Sequence, residues 1–570
     1  SFKFNTPNNH GVVGLVNMPT ARLYNESAFG FTAYDGEPDQ KISFFAAPFD
    51  WLEASVFYTN IQGKPYPGFE EYQDYKDKGF NFKIRLKDEN KLPAIAIGIN
   101  DMAGTGLYGS EYIVSSYGIG KLDMHLGMGW GNMNGYDDIS NPLTKIDDRF
   151  STRAAKVGFG GNIEADNFFS GEGASVFFGL SYILNNKTIL KIERDTTLSS
   201  GLIEYKENES EYSLGLDFSP NRNLTFGLSF ERGNSLSLRF VYKGDKDSLP
   251  EYRYKKERDY SSEDKYSNFV NHLKDNGIGV NKIIEKEDIV GVEISQFKHS
   301  SSELIEQIIM SAKRDSKINK QIITNQKIAD LVAIEGFSDN FEEQGTLVFL
   351  RESKSNFSSD TQLNIRPFIA GREGFLKLAL LLENNSEYVI KDNFIFSSNI
   401  KYSIWDNFDE LIFPPRNTYP AQVRSDVKDY LRNFNDGLII GRAQLDFYQT
   451  LSKNNHLMIT AGILEEMFQG YGFEYLWFDP KKSFAFGFEL FDVKKRDYKL
   501  RLDTLDYENL TGHINFYYRN YFGIPFDAKV SYGEYLAGDV GSTIELSRSF
   551  SNGIEFGIFA SNTNVSEEDF

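Results

Sequence analysis

The sequence predicts a mostly β fold, built from antiparallel strands of membrane β-barrel type and interrupted once by a small α+β unit. Three observations predict it. First, Lys121–Trp130 reads KLDMHLGMGW, where Leu122, Met124, Leu126, Met128 and Trp130 alternate with Asp123, His125, Gly127 and Gly129. Successive strand side chains point to opposite faces, so one face is large and apolar and the other small or polar. This alternation returns along most of the chain. Second, aromatic residues make up 15 % of 570 residues, with 48 Gly and only 16 Pro, a balance that aromatic strands joined by Gly, Asn and Asp turns produce. Third, mean hydropathy is −0.42 and the sequence holds no run of about 18 apolar residues for a spanning helix. A spanning barrel strand needs only about 9–11 residues, half of them polar where the lumen is wet.

Charge and cysteine narrow the function classes. A formal net charge of −20 argues against a nucleic-acid surface. The absence of Cys removes disulfides, thiol catalysis and thiolate metal sites from these residues. The chain opens Ser-Phe-Lys-Phe without Met, so an upstream secretory segment is expected.

Taken in order, residues 1–10 read as an irregular arm, and Gly11–Arg22 (GVVGLVNMPTAR) as a short strand broken by Gly and Pro. Phe29, Phe31 and Ala33 alternate with Gly30, Thr32 and Tyr34. Lys41–Ile61 reads as two strands around a turn at Pro48–Asp50. Phe80, Phe82, Ile84 and Leu86 alternate with Asn81, Lys83, Arg85 and Lys87, which makes the polar side basic. Asn132–Phe150 is polar and acidic, as an outer loop would be. Strands resume at Val176–Leu184, Tyr212–Phe218, Leu224–Phe230 and Leu236–Tyr242, with Ser219–Asn223 and Glu231–Ser235 as hairpin turns. Consecutive strands with tight turns describe an up-and-down barrel.

The period changes between about 250 and 358. Ser262–Asn276 carries Tyr266, Phe269, Val270 and Leu273 at helical spacing, with a Ser N-cap and Gly277 as stop. Strands at Ile278–Glu285 and Ile289–Ser295, a helix at Ser302–Arg314, and strands at Leu331–Glu335 and Thr346–Leu350 complete an α+β module. Such a module does not belong in lipid, and its expected place is the periplasm. Strand patterns return from 361, and Phe484, Phe486, Phe488 and Leu490 face Ser483, Ala485, Gly487 and Glu489. Asp406–Arg432, rich in Pro and charge, is placed to cap or enter a lumen. The expected boundaries are 1–249 for an N-terminal barrel segment, 250–358 for the module and 359–570 for a C-terminal barrel segment. Each barrel segment holds about a dozen candidate strands, so two barrels in one chain or one barrel of about 24 strands both fit. The polar, turn-like NTNVSEEDF at the end leads to an expectation of further C-terminal strands.

Three stretches carry a resemblance: Gly14–Arg22 (GLVNMPTAR), Ala47–Ile61 (APFDWLEASVFYTNI) and Gly533–Ala560 (GEYLAGDVGSTIELSRSFSNGIEFGIFA). They resemble the signature segments of the YjbH/GfcD family of outer-membrane exopolysaccharide and capsule proteins, with Gly14, Pro19, Arg22, Trp51, Glu53, Tyr535, Gly538 and Asp539 as motif positions. The resemblance implies two outer-membrane barrels in one chain and a role in export or surface assembly of polysaccharide. It implies a Gram-negative outer-membrane location, with membrane lipid, exopolysaccharide and other components of a polysaccharide secretion system as partners. It carries no catalytic residues to transfer.

Chemistry-bearing clusters are few. Six His are scattered without metal-ligand spacing, so neither a metal nor a cofactor is expected. Glu465-Glu466 and Glu534/Asp539 fit turn and loop acids better than a glycosidase pair, since adjacent strand residues point oppositely. Lys83, Arg85, Asp123 and His125 are expected to line a lumen and contact a hydrated, charged polymer. Tyr475 and Trp477 in irregular segments, and Tyr517 on a polar face, are expected to stack on sugar rings. The resulting expectation is a non-enzymatic export or assembly protein. A porin-like diffusion channel, a barrel enzyme and a plugged scaffold are its rivals.

Overall fold

The computed structural model describes residues 5–65, 74–154, 160–161, 163–198, 208–248, 252–255, 264–352, 355–415, 423–519, 525–550 and 552–565. The chain divides into two compact units, Ser1–Pro250 and Glu251–Phe570.

In the first unit, twelve antiparallel strands from Phe29–Asp35 to Ser235–Gly244 close on themselves, and a two-residue strand at Ile139–Ser140 flanks them. Closure comes from the pairing of Phe29–Asp35 with Ser235–Gly244, where Phe31 lies opposite Tyr242 and Ala33 opposite Phe240. The alternation sets which way each side chain points. Phe178, Leu180, Tyr182, Leu214, Leu216, Phe226 and Leu228 face outward, 38–48 % exposed. Their sequence neighbours Ser181, Ser213, Asp217, Thr225 and Ser229 are buried inside. A closed barrel with an apolar exterior leaves no backbone edge to satisfy, which is what a hydrocarbon surround demands. Within Leu122–Gly131, Gly127 is glycine because the Phe177 ring lies across it: a Cβ there would come within 2.1 Å of that ring. After this strand Asn141 ties described parts of the connection together, its amide donating to the carbonyls of Phe150, Phe169 and Gly171.

The second unit holds the α+β module and an open sheet. The module has helices at Lys265–Asp275 and Ser302–Asp315 and a five-stranded sheet with one parallel pair, Ile289–Ser295 with Gln321–Ile328. Phe269, Leu273, Ile308 and Ala312 of the helices pack with Ile283, Val290, Val292 and Ile294 of the sheet. Lys320 and Tyr266 both donate to Glu285, and these bonds hold its carboxyl below the usual range. Two expectations change here. The strand Gln321–Ile328 was not expected, because NQK at Asn325–Lys327 breaks the apolar alternation, nor was the short helix Asp339–Gln344, whose six residues carry a single apolar side chain, Phe341. The first helix is capped by Asp264, which accepts from the Tyr266 and Ser267 N–H groups; the expected Ser262 cap lies outside the described residues.

The open sheet runs through eleven antiparallel strands in sequence order, from Asn356–Gly371 to Glu555–Thr563. Its first strand starts ahead of the boundary expected at 358/359. Among the described residues its first and last strands do not pair, so a second closed barrel is not seen. The alternative of one barrel of about 24 strands is overturned, because the two strand sets form separate sheets. One face carries Phe486, Phe488, Ile514, Tyr532 and Ile544, all exposed, and the other carries Glu489, His513 and Asn515. The connection after Asp406 packs on the polar face at one end. There Phe408, Leu411, Tyr430, Leu431 and Phe434 bury themselves against Leu381, Ile439, Met467, Phe468 and Val493.

Candidate functional site

A twelve-stranded barrel is wider than the eight-stranded kind that its own side chains can fill. Here the start of the chain enters the lumen and fills it. Val12, Val13, Leu15, Val16, Met18, Ala21 and Leu23 are all at most 5 % exposed. This segment makes only two isolated bridges, Pro7 with Val13 and Gly14 with Pro19. The strand expected at Gly11–Arg22 is therefore corrected: the segment is a plug, not part of the wall. Its Gly and Pro positions let it double back, and a Cβ at Gly14 would come within 2.4 Å of the Met18 carbonyl oxygen.

A buried segment without regular structure must place its N–H and C=O groups on other partners. The inward charges of the wall supply them. Glu193 accepts from the N–H groups of Val16, Asn17 and Met18 at 2.9, 2.8 and 3.0 Å. The Lys83 ammonium donates to the carbonyls of Val13, Thr20 and Arg22 at 2.8, 3.1 and 2.6 Å. Lys191 donates to the carbonyls of Gly14 and Leu15. Glu53 accepts from the N–H groups of Val13 and Tyr24 and pairs with Lys83 at 3.0 Å. Side chains of the plug add to this: Asn17 donates to Asp195 and Glu231, Asn9 donates to Glu231, and Arg239 donates to Asn9. Buried charges are tolerated when each is paired and hydrogen-bonded, and here the plug completes the pairing.

The predicted lumen residues divide accordingly. Asp123 is gripped by Arg22 through Nε at 3.0 Å and Nη2 at 2.7 Å. His125 lies 2.7 Å from the Ser116 hydroxyl, which accepts from the Ala21 N–H. Lys83, Asp123 and His125 thus hold the plug and do not face an open lumen, and the contact with polymer expected of them is corrected. Arg85 pairs with exposed Asp88 at 2.9 Å. Tyr475 and Trp477 are not in an irregular segment: both lie in the strand Phe468–Phe478, opposite Phe488 and Phe486. Trp477 stacks on Phe484 with ring centroids 5.6 Å apart, on the apolar face where boundary aromatics belong. Tyr517 is on the polar face, with the Lys529 ammonium 5.6 Å from its ring centroid.

The motif positions are structural. Gly14, Pro19, Arg22 and Glu53 make or hold the plug, and Trp51 stacks on Phe49 in the following hairpin turn. Gly538, at φ +83°, shapes the turn in which the Tyr535 N–H donates to the Asp539 carbonyl at 2.8 Å. The sequence reading missed Glu193, Lys191, Glu231, Asp217 and Asn17. Their signal was present, since Lys191 and Glu193 alternate with Leu190 and Ile192 on a strand whose other face is apolar.

In the second unit, the polar face of the open sheet holds a groove of about 680 Å³. At its covered end Glu466 accepts from Arg366 at 3.1 and 3.0 Å and from Lys401 at 2.7 Å.

Comparison with known proteins gives three findings. The family model described as exopolysaccharide biosynthesis protein YbjH matches residues 6–327 and 304–570. The lipoprotein YjbH of Escherichia coli strain K12 is 28 % identical over 612 aligned positions, covering 98 % of this chain and 86 % of the relative. Among solved structures, the NanC porin aligns with 38 % of this chain and 98 % of its own at 10 % identity and a TM-score of 0.21. The FrpB iron transporter of Neisseria meningitidis aligns with 94 % of this chain and 70 % of its own at 8 % identity and a TM-score of 0.17.

Proposed function

The chain belongs to the YjbH family of exopolysaccharide biosynthesis proteins, and on that premise we propose that it is a non-catalytic outer-membrane protein assisting export or surface assembly of the polymer. The observation that carries the reading is the closed barrel with an apolar exterior and a lumen filled by residues of its own N-terminal segment. An apolar exterior suits lipid. A lumen whose inward Lys83, Lys191, Glu53, Glu193 and Glu231 are engaged by the plug suits a sealed body better than a porin-like channel, so the scaffold reading is preferred for this barrel. The α+β module suits the periplasmic side: Glu335 pairs with Lys453 and Lys481, which stand in or beside the short turns of the open sheet. Short turns are the periplasmic feature of outer-membrane barrels.

The test has two arms. Cells lacking the protein are expected to hold less polymer at their surface, and the full chain is expected to restore it. The purified full chain is expected to insert into planar bilayers without the steady current of a diffusion porin, with or without added exopolysaccharide. Undiminished surface polymer in the deletion strain contradicts the proposed role, and a steady porin current contradicts the sealed body.

A further inference from the structure

We propose that the groove on the polar face of the open sheet is a binding site for a neutral, hydroxyl-rich polysaccharide segment, a proposal that rests on the exopolysaccharide role above. Four side chains stand in one row across four adjacent strands. Asp360 on Asn356–Gly371 is opposite Asn385 on Gly374–Lys391, which is opposite Asn399 on Phe394–Asp406, which is opposite Arg442 on Leu438–Ser452. Neighbouring strands lie about 4.7–4.9 Å apart, close to the length of one sugar ring, so the row offers polar groups at a spacing an extended glycan chain can follow. Asn399 donates to Asn385 at 2.7 Å, which fixes the orientation of both amides. Gly441 leaves room beside the row: a Cβ there would come within 2.3 Å of Asn399 Oδ1. The groove, about 680 Å³, falls within the usual range of about 300–1,000 Å³ for ligand sites, yet its walls are built from Ser, Asn, Asp, Glu, Lys, Arg and Gly and not from apolar residues. Such walls fit a ligand that carries its own donors and acceptors on every face.

The charges select for neutrality. Glu466 is engaged by Arg366 and Lys401, and Glu465 by Arg424, so these carboxylates are compensated. Asp360, Glu387 and Arg442 are exposed, and none of them enters an ion pair among the described residues. The carboxylates of Asp360, Glu387, Glu465 and Glu466 are thus matched in number by Arg366, Lys401, Arg424 and Arg442, and the groove offers a polyanion no net positive charge. Asp360 and Glu387 can each instead accept from two neighbouring hydroxyls, while Arg442 and the amides donate to hydroxyl and ring oxygens.

The test uses the full chain in detergent with two probes, a cello-oligosaccharide and an oligogalacturonate, and measures binding by calorimetry. The expected result is binding of the neutral probe, with the uronate probe weaker by about tenfold or more. The double variant Asn385→Leu, Asn399→Leu is expected to weaken the neutral probe by about tenfold or more, the loss of one or two net hydrogen bonds. Arg442→Ala, a change at an exposed side chain that keeps the fold, is expected to weaken it several-fold. Binding of neither probe, preference for the uronate, or unchanged binding in the variants overturns the proposal. The same variants in the deletion strain separate the two claims. Full restoration of surface polymer by the double variant rejects this site and leaves the role standing, whereas a deletion strain with undiminished polymer rejects the role.

Discussion

Replacing Lys83 by Met is expected to lower the stability of the first barrel by about 3–5 kcal/mol and to loosen the N-terminal plug, read as an earlier urea midpoint and faster proteolysis within residues 5–27. Lys83 is fully buried and is the point where three parts of the structure meet. Its three donors reach the carbonyls of Val13, Thr20 and Arg22, which lie on both sides of the loop that the plug makes. It also sits 3.0 Å from Glu53, a carboxylate that is 2 % exposed. Methionine fits the space but cannot donate, so three carbonyls lose the ammonium and the Glu53 carboxylate keeps its two N–H donors but loses its counter-ion. A buried charge without its counter-ion is the costly part, which makes the double variant Lys83→Met, Glu53→Gln the informative control. It is expected to recover part of the loss by removing the orphaned carboxylate. Equal stability of Lys83→Met and the native chain would mean that the plug is held by apolar packing alone.

Arg496→Met is expected to cost the second unit about 3–5 kcal/mol and to release the cover over its polar face. This guanidinium is fully buried and makes its bonds to carbonyls: Ile440 at 2.8 Å, Glu465 at 3.1 Å, Glu466 at 2.9 Å and Arg501 at 2.8 Å. These carbonyls belong to three separate stretches of chain at the covered end of the sheet. Tyr430 of the cover donates to the Arg496 carbonyl at 2.6 Å, so the same residue also anchors the helix Val427–Leu431. Amide exchange would report the effect: faster exchange at Val427–Phe434 in the variant is expected, and unchanged protection there would show that the apolar contacts of Phe408 and Phe434 suffice.

The wall of the first barrel was legible because its two faces differ in kind at every step. Leu214, Leu216, Phe226 and Leu228 alternate with Gly215, Asp217, Gly227 and Ser229, and a period of two admits only one orientation. The plug was not legible, because GVVGLVNMPTAR is apolar and short, and periodicity cannot tell a fully buried strand from an irregular buried segment. What distinguishes them is the partner of each backbone group, and those partners, Lys83, Lys191 and Glu193, are remote in sequence. The same charges gave a misleading sign: an inward Lys or Asp reads as the lining of a wet channel until the group it pairs with is known. Tyr475 and Trp477 were misplaced because Tyr471, Phe473, Tyr475 and Trp477 alternate with Gly472, Glu474 and Leu476, and the apolar Leu476 on the polar side blurs the period. The groove was hidden for a different reason. Asp360, Asn385, Asn399 and Arg442 are separated by up to 43 residues between neighbours in the row, and only the strand register brings them into line.

Thiol accessibility tests the sealed lumen most directly, since the chain has no cysteine of its own. Ser181→Cys places a thiol inside the first barrel beside His125, at a side chain that is 4 % exposed. Asn385→Cys places one on the open polar face of the second sheet. With a membrane-impermeant maleimide on the folded full chain, prompt labelling is expected at 385 and none at 181 until the protein is unfolded. Prompt labelling at 181 in the folded chain would mean an open lumen and would contradict a sealed first barrel.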